Sequence, residues 1–137
     1  MSNFLGATSI DKSFAQYLKL SFESYYVITL YRTQDCTTIS DNQQFLHILH
    51  ELIDDTKPTI INGDFNFDYW KDKDNSVRVT LEAKGFRQLI MEPTTIRGNC
   101  IDHVYIKDEQ VECVYANLYH SYFTEHEAVC VVVKLDK

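Results

Sequence analysis

The sequence predicts an α/β fold, with helices covering one face of a mixed β-sheet, on the strength of three observations. Segments of strand-like composition alternate with segments of helical periodicity, giving the order β β α β α β β β along the chain. Hydrophobic residues make up 45% of the chain and aromatic residues 13%, which is typical of a folded globule. A length of 137 residues suits one core, so residues 1–137 are expected to form a single domain.

The first three elements are predicted in the N-terminal half of the chain. Residues 14–23 and 25–32 are rich in aromatic and β-branched residues, which favours two strands. The pattern changes to helical spacing in residues 40–55, where the apolar side chains fall on one stripe. Ser40 or Asp41 is available as the N-cap of this helix.

The remaining elements follow from similar patterns. Residues 59–61 form a short apolar run that leads into Gly63 and predicts a buried strand. A second helix is predicted from residue 75 to about Ala83, with Gly85 just beyond its C-terminus. The last three strands are predicted in residues 99–106, 111–119 and 128–135.

The charge of the chain limits the class of partner. Against 20 acidic residues there are 13 Lys and Arg, a net charge of −7, which is the wrong sign for a non-specific nucleic-acid binder. A local basic rim remains possible within this acidic whole. Its candidate members are Arg32, Lys71, Lys73, Arg87 and Arg97.

Several absences predict the compartment. The apolar stretches are shorter than the roughly 20 residues that span a bilayer, so no membrane association is expected. The N-terminal residues lack the features of a signal peptide. The four cysteines show no C-x-x-C spacing and are interpreted as reduced thiols. We therefore expect an intracellular protein, either cytoplasmic or nuclear.

Three short motifs place polar side chains at the ends of apolar strands. "GDFN" contributes Asp64 and Asn66, "CIDHVYI" contributes Asp102, and "TEHE" contributes His126. Taken singly, each motif is also typical of local structure: an Asx-capped turn, a capped strand residue, or a helix start with capping-box spacing at residues 124–127. Taken together, at the ends of separate strands of one sheet, they supply the groups needed for metal-assisted phosphodiester hydrolysis.

These motifs resemble a known superfamily. "IINGDFN", "IDHVYI" and "TEHEAV" resemble the last three signature blocks of the endonuclease/exonuclease/phosphatase superfamily, which includes deoxyribonuclease-like enzymes. "YYVITLYRT" and "GFRQLIMEPTTIRGNCIDHVYI" resemble its non-long-terminal-repeat retrotransposon branch. The resemblance extends from about residue 14 to residue 135. It implies part of a four-layer α/β sandwich, dependence on Mg²⁺ or Mn²⁺, and endonuclease-like hydrolysis of DNA or another phosphodiester.

The resemblance also implies roles for individual residues. Asp64 would hold or activate the attacking water, and Asn66 would fix that water or the scissile phosphate. His126 would be the general base or a phosphate contact, and Asp102 would orient it or lie close to the metal. Tyr31 would contact the phosphate. The implied metal ligands are Asp64, Asn66, Glu125 and His126.

The sequence departs from the superfamily pattern in two places. The usual Ser-Asp-His block is Thr-Glu-His here, with Glu125 in place of an Asp. Residues 1–21 resemble neither of the superfamily's first two blocks, so the chain is expected to lack the N-terminal strands and the metal-binding Glu that they carry. That expectation leaves one sheet face uncovered and available for association. An alternative function is therefore a catalytically degenerate fragment that acts as an interaction or binding module, and phosphatase or lipid-type hydrolysis also remains open.

Overall fold

Residues 2–135 are described in the computed structural model of the chain, and they form two β-sheets and two α-helices. This architecture confirms the predicted α/β class. In chain order the elements are β1 (Phe4–Asp11), β2 (Ala15–Phe22), β3 (Tyr26–Arg32), α1 (Ile39–Leu52), β4 (Thr59–Asp64), α2 (Ser76–Ala83), β5 (Phe86–Gln88), β6 (Asp102–Lys107), β7 (Glu112–Tyr119) and β8 (Ala128–Lys134).

Six of the strands form one mixed sheet in the order β1-β2-β3-β4-β6-β5. The pairing is antiparallel except between β3 and β4, which run parallel. A parallel pair needs a crossover connection, and α1 supplies it. Strand β4 therefore lies at the centre of the sheet, with β3 on one side and β6 on the other.

Both helices cover the same face of this sheet. Thr38 caps α1 by accepting a hydrogen bond from the Asp41 N–H at 3.1 Å, so the helix begins slightly before the predicted cap positions. The apolar stripe of α1 is buried on the sheet, as its spacing predicts, and α2 ends at the predicted residue, Ala83. The core between helices and sheet contains Tyr17, Ile28, Leu30, Phe45, Leu49, Ile61, Phe65, Val77, Leu81 and Tyr105.

The hairpin of β7 and β8 forms a second sheet and packs against the opposite face. Val129, Val131 and Val133 point from β8 into a cluster that includes Ile60 of β4 and Val104 of β6. Alternation along β4 and β6 therefore buries one set of side chains under the helices and the other under the hairpin. The part of this face that β2 and β3 contribute stays open, with Leu18 and Tyr31 exposed.

The structure differs from the sequence prediction in three respects. Strands β1 and β5 are additional, and the hairpin belongs to a separate sheet, whereas the motifs were expected on strands of one sheet. Strand β1 is an exposed edge strand, so no buried face leaves an apolar alternation in its sequence. Strand β5 has three residues and depends on its pairing with β6. No strand signal of the kind used above could reveal either one.

Two further features concern the helices and the cysteines. Neither helix in residues 2–135 has the length and apolarity that a membrane crossing requires. All four cysteines carry free thiols, and Cys36 and Cys100 are buried.

Candidate active site

The central strand β4 brings three of the predicted site residues into one row. Asp64, at its last position, pairs in register with Tyr31 of β3 and with Asp102 of β6. The residue before Asp64 is Gly63, which pairs with Leu30 of β3. Because Gly63 has no side chain, β3 can approach β4 closely at this position. A Cβ at Gly63 would lie 1.8 Å from the backbone oxygen of Leu30, and its φ of +146° disfavours any side chain.

The turn after β4 fixes Asn66 beside Asp64. Asn66 has a left-handed backbone conformation with φ of 54°, and its N–H donates a hydrogen bond to Asp64 Oδ1 at 2.9 Å. Its side-chain Nδ2 donates to the backbone oxygen of Arg32. This bond uses one of the two N–H groups of the amide, and Asn66 Oδ1 is the side-chain atom that could ligate a cation.

Arg32 holds the same turn from within the core. Its guanidinium donates to the backbone oxygens of Phe65 at 3.1 Å and Cys36 at 2.7 Å. Only 7% of Arg32 is exposed, so it does not belong to a basic surface rim, which corrects the sequence interpretation. Its position as the last residue of β3, on the helix-covered face, accounts for the burial.

His126 reaches the row from the loop before β8. A short antiparallel bridge joins it to Thr95, and the N–H of Glu127 donates to the oxygen of Thr94 at 2.7 Å. These contacts place His126 Nδ1 at 2.7 Å from Asp102 Oδ2 and His126 Nε2 at 3.8 Å from Asp64 Oδ2. The imidazole therefore lies between the two carboxylates. The capping-box alternative is excluded, because no helix follows Thr124 and β8 begins at Ala128.

Thr94 is a supporting residue that the sequence reasoning missed. Its side chain is fully buried, and its Oγ1 accepts hydrogen bonds from the N–H groups of Ile101 and Asp102, each at 3.1 Å. Thr94 thus ties the start of β6 to the strand segment that holds His126. The Pro-Thr in "MEPTTIRG" indicates only a turn in the sequence, so nothing local revealed these contacts.

The fold changes the proton affinities of two groups in the row. Burial and the nearby Asp102 raise the pKa of Asp64, although the hydrogen bond from the Asn66 N–H and the nearby His126 oppose the change. Partial burial disfavours the charged form of His126, but the hydrogen bond to Asp102 and the negative charges of Asp102, Asp64 and Glu125 outweigh it and raise the pKa. Asp64 therefore gains basicity, and the cationic form of His126 is stabilised.

A polar cleft of about 460 Å³ opens above this row. Its lining carries the acidic side chains of Asp64, Asp68 and Glu125, and among its described residues Arg97 is the single Lys or Arg. Arg97 lies 3.6 Å from Glu125 in an exposed ion pair. The other polar or aromatic lining residues include Tyr31, Gln34, Asn66, Thr95, Asn99 and His126.

The ligand atoms of Asp64, Asp102 and His126 all lie within 4.8 Å of one another, a spacing that suits a metal ion. The structure thus brings together Asp64 and His126 of the predicted ligand set, with Asn66 and Tyr31 on the cleft wall. Glu125 also lines the cleft but is outside this group of three. Asp102, which the sequence analysis placed near the metal, is inside it.

No protein-family model and no curated protein sequence matches the chain. Solved structures do. The endonuclease domain of TRAS1, a telomere-specific non-LTR retrotransposon, has a TM-score of 0.65 at 12% identity and covers 96% of this chain and 69% of its own. An endonuclease/exonuclease/phosphatase family protein from Leptotrichia buccalis has a TM-score of 0.59 at 14% identity, and the match covers 88% of this chain and 53% of that protein. The human Nocturnin catalytic domain has a TM-score of 0.50 at 14% identity, and the match covers 96% of this chain and 60% of that domain.

These similarities confirm, at the level of fold, the resemblance seen in the sequence motifs. The chain has the fold of the endonuclease/exonuclease/phosphatase structures, which include a retrotransposon endonuclease domain. It spans between about half and just over two thirds of the length of the three structures named.

Proposed function

We propose that this chain carries the hydrolytic centre of a metal-dependent phosphodiesterase that acts as an endonuclease on DNA. The observation that carries the proposal is the position of His126 between two carboxylates, 2.7 Å from Asp102 and 3.8 Å from Asp64. Similarity to a retrotransposon endonuclease domain supports DNA as the substrate class.

The donor groups fit a small hard cation such as Mg²⁺ or Mn²⁺. Asp64 and Asp102 offer carboxylate oxygens within 4.8 Å of each other, and Asn66 offers Oδ1 on the same wall. Glu125 is a further oxygen donor in the cleft, but it is outside the group of three whose ligand atoms lie within 4.8 Å of one another, which favours Asp102 as the second carboxylate. When bound, such a cation would offset charge on the phosphate and lower the pKa of water.

The side chains divide the proton chemistry between them. Water attacks the phosphorus and a P–O bond to the leaving group breaks, so one proton must leave the water and one must reach the leaving oxygen. Asp64, which lines the cleft at the end of β4, is placed to accept the first proton. His126, held by Asp102 with its pKa raised, is suited as an imidazolium to bind a phosphate oxygen and to supply the second. Tyr31, exposed at the end of β3, is within the cleft to contact the phosphate.

One observation favours a second candidate function, a binding module of the same fold. The open part of the sheet face exposes Leu18 and Tyr31, with 38% and 43% of each residue accessible. Association through this face would cover them, as expected of a chain that docks onto a partner. In this second case the site residues would be present without turnover.

Nicking of supercoiled plasmid tests both candidates. We expect nicking by the purified chain with Mg²⁺ or Mn²⁺, none with EDTA, and a loss of roughly 100-fold or more in Asp64→Ala and in His126→Ala. His47→Ala is the matched control, because His47 is an exposed histidine on α1 that is absent from the cleft lining. Absence both of nicking and of cleavage of a single-stranded oligodeoxynucleotide, by protein that unfolds cooperatively, would contradict the hydrolase proposal and leave the binding module.

A further inference from the structure

The loop that precedes His126 carries the two most exposed aromatic side chains among the described residues. Phe123 is 99% exposed and Tyr122 is 88% exposed, and we call these two residues the aromatic tip. Core packing therefore does not account for either side chain. Ile96, on the neighbouring loop, is also exposed, and its N–H donates to the backbone oxygen of Glu125 at 3.0 Å, which joins the two loops.

The aromatic tip lies in the same loop as Glu125 and His126, which line the active-site cleft. Phe123 precedes His126 by three residues, and three residues of extended chain span about 11 Å at most. Tyr122 is positioned by an edge contact with the ring of His120, 4.8 Å between centroids, and His120 lies 3.3 Å from Glu127. The backbone of Phe123 therefore lies within about 11 Å of the backbone of His126.

The charge distribution explains why such surfaces would be needed. Most nucleic-acid binders obtain their affinity by neutralising phosphates with Lys and Arg, and this chain has a net charge of −7. The cleft adds three acidic side chains against Arg97 as its single Lys or Arg among described residues. Affinity for a polyanion must then come largely from contacts that do not depend on charge, and stacking of bases on aromatic rings is the available kind.

We propose that Tyr122 and Phe123 stack on an unpaired nucleobase next to the reacting phosphate, so that the preferred substrate is single-stranded or locally unpaired nucleic acid. This inference rests on the proposed function, because it names the substrate class of the same site. The bases of an intact duplex are stacked on one another and offer no free face to the tip. A free phosphomonoester offers no base at all.

Fluorescence of a single-stranded oligodeoxynucleotide that carries 2-aminopurine tests the proposal. Binding is measured with Ca²⁺ in place of Mg²⁺, and the integrity of the probe is checked on a gel afterwards. We expect quenching of 2-aminopurine by the wild-type chain, weaker binding to the matched duplex, and little loss of affinity as salt rises. In Phe123→Ala or Tyr122→Ala we expect the quenching to fall and Kd to rise about tenfold. Phe123→Trp should retain both.

The matched control is Ile39→Ala, which removes an apolar side chain of similar exposure, 79%, at the start of α1. Equal binding by wild type, Phe123→Ala and Tyr122→Ala would overturn the proposal, and so would equal affinity for single strand and duplex. Binding to phosphatidylcholine vesicles without binding to the oligonucleotide would overturn it in favour of a membrane contact. Quenching that depends on the aromatic tip, in a chain that cleaves neither supercoiled plasmid nor the single-stranded oligodeoxynucleotide with Mg²⁺ or Mn²⁺, would support the stacking site and reject the hydrolase proposal separately.

Discussion

Replacement of Gly63 by alanine should destabilise the fold strongly, because two backbone strands approach each other at this residue. An added Cβ would lie 1.8 Å from the backbone oxygen of Leu30 and within 2.9 Å of its nitrogen. Both distances fall below the 3.0 Å that real Cβ contacts respect, and the atoms met are backbone atoms that cannot rotate away. Strands β3 and β4 would have to separate at the end where Tyr31 pairs with Asp64.

The magnitude follows from two contributions. Alanine at a φ of +146° costs roughly 1–3 kcal/mol of backbone strain. Separation of the strands weakens one or two interstrand hydrogen bonds, each contributing about 1 kcal/mol. The free energy of unfolding should therefore fall by about 2–5 kcal/mol, a large part of the roughly 5–15 kcal/mol expected for a domain.

Urea denaturation followed by circular dichroism measures this change. With a slope of about 2 kcal/mol per molar urea, the midpoint should fall by roughly 2 M. Gly6→Ala is the control, because a Cβ added at Gly6 would meet no atom within 4 Å and its φ is not positive, so its midpoint should barely move. A Gly63→Ala chain with the wild-type midpoint would refute the close approach of β3 and β4.

Two pH predictions follow from the histidines. The pKa of His126 is raised, so its protonation contributes stability below pH 6.5, and this stability is lost as the pH rises through the folded-state pKa. Asp102→Asn should lower the pKa of His126 measured by NMR titration of the ring protons. An unchanged pKa would contradict the 2.7 Å contact between His126 and Asp102. Burial lowers the pKa of His103 to about 4, so its ring should stay neutral in the same titration until about pH 4. The neutral form of His103 contributes at most about 3 kcal/mol to the free energy of unfolding, which is present above pH 6.5 and lost as the pH falls towards 4. A ring that titrates near 6.5 would show that His103 is not buried.

Local patterns predicted the parts of the fold whose sequence shows a buried face. The apolar stripe of α1 lies on the sheet, and α2 ends at Ala83, because a helix that packs on one side must repeat its apolar residues every three or four positions. Strand β1 escaped the same reasoning, since an exposed edge strand has no such face. Arg32 was assigned to a surface rim because the type of a residue does not reveal which face of its strand is covered.

The sequence by itself determined the α/β class, the central strand that ends at Asp64, and the set of residue types suited to hydrolysis. Only the tertiary structure decided that Asp64, Asp102 and His126 meet within 4.8 Å, and that the last hairpin forms a second layer on the sheet. Periodicity is a local property that any short segment displays. Strand register, by contrast, depends on pairing between residues far apart in the chain, and that pairing brings His126 to the two carboxylates.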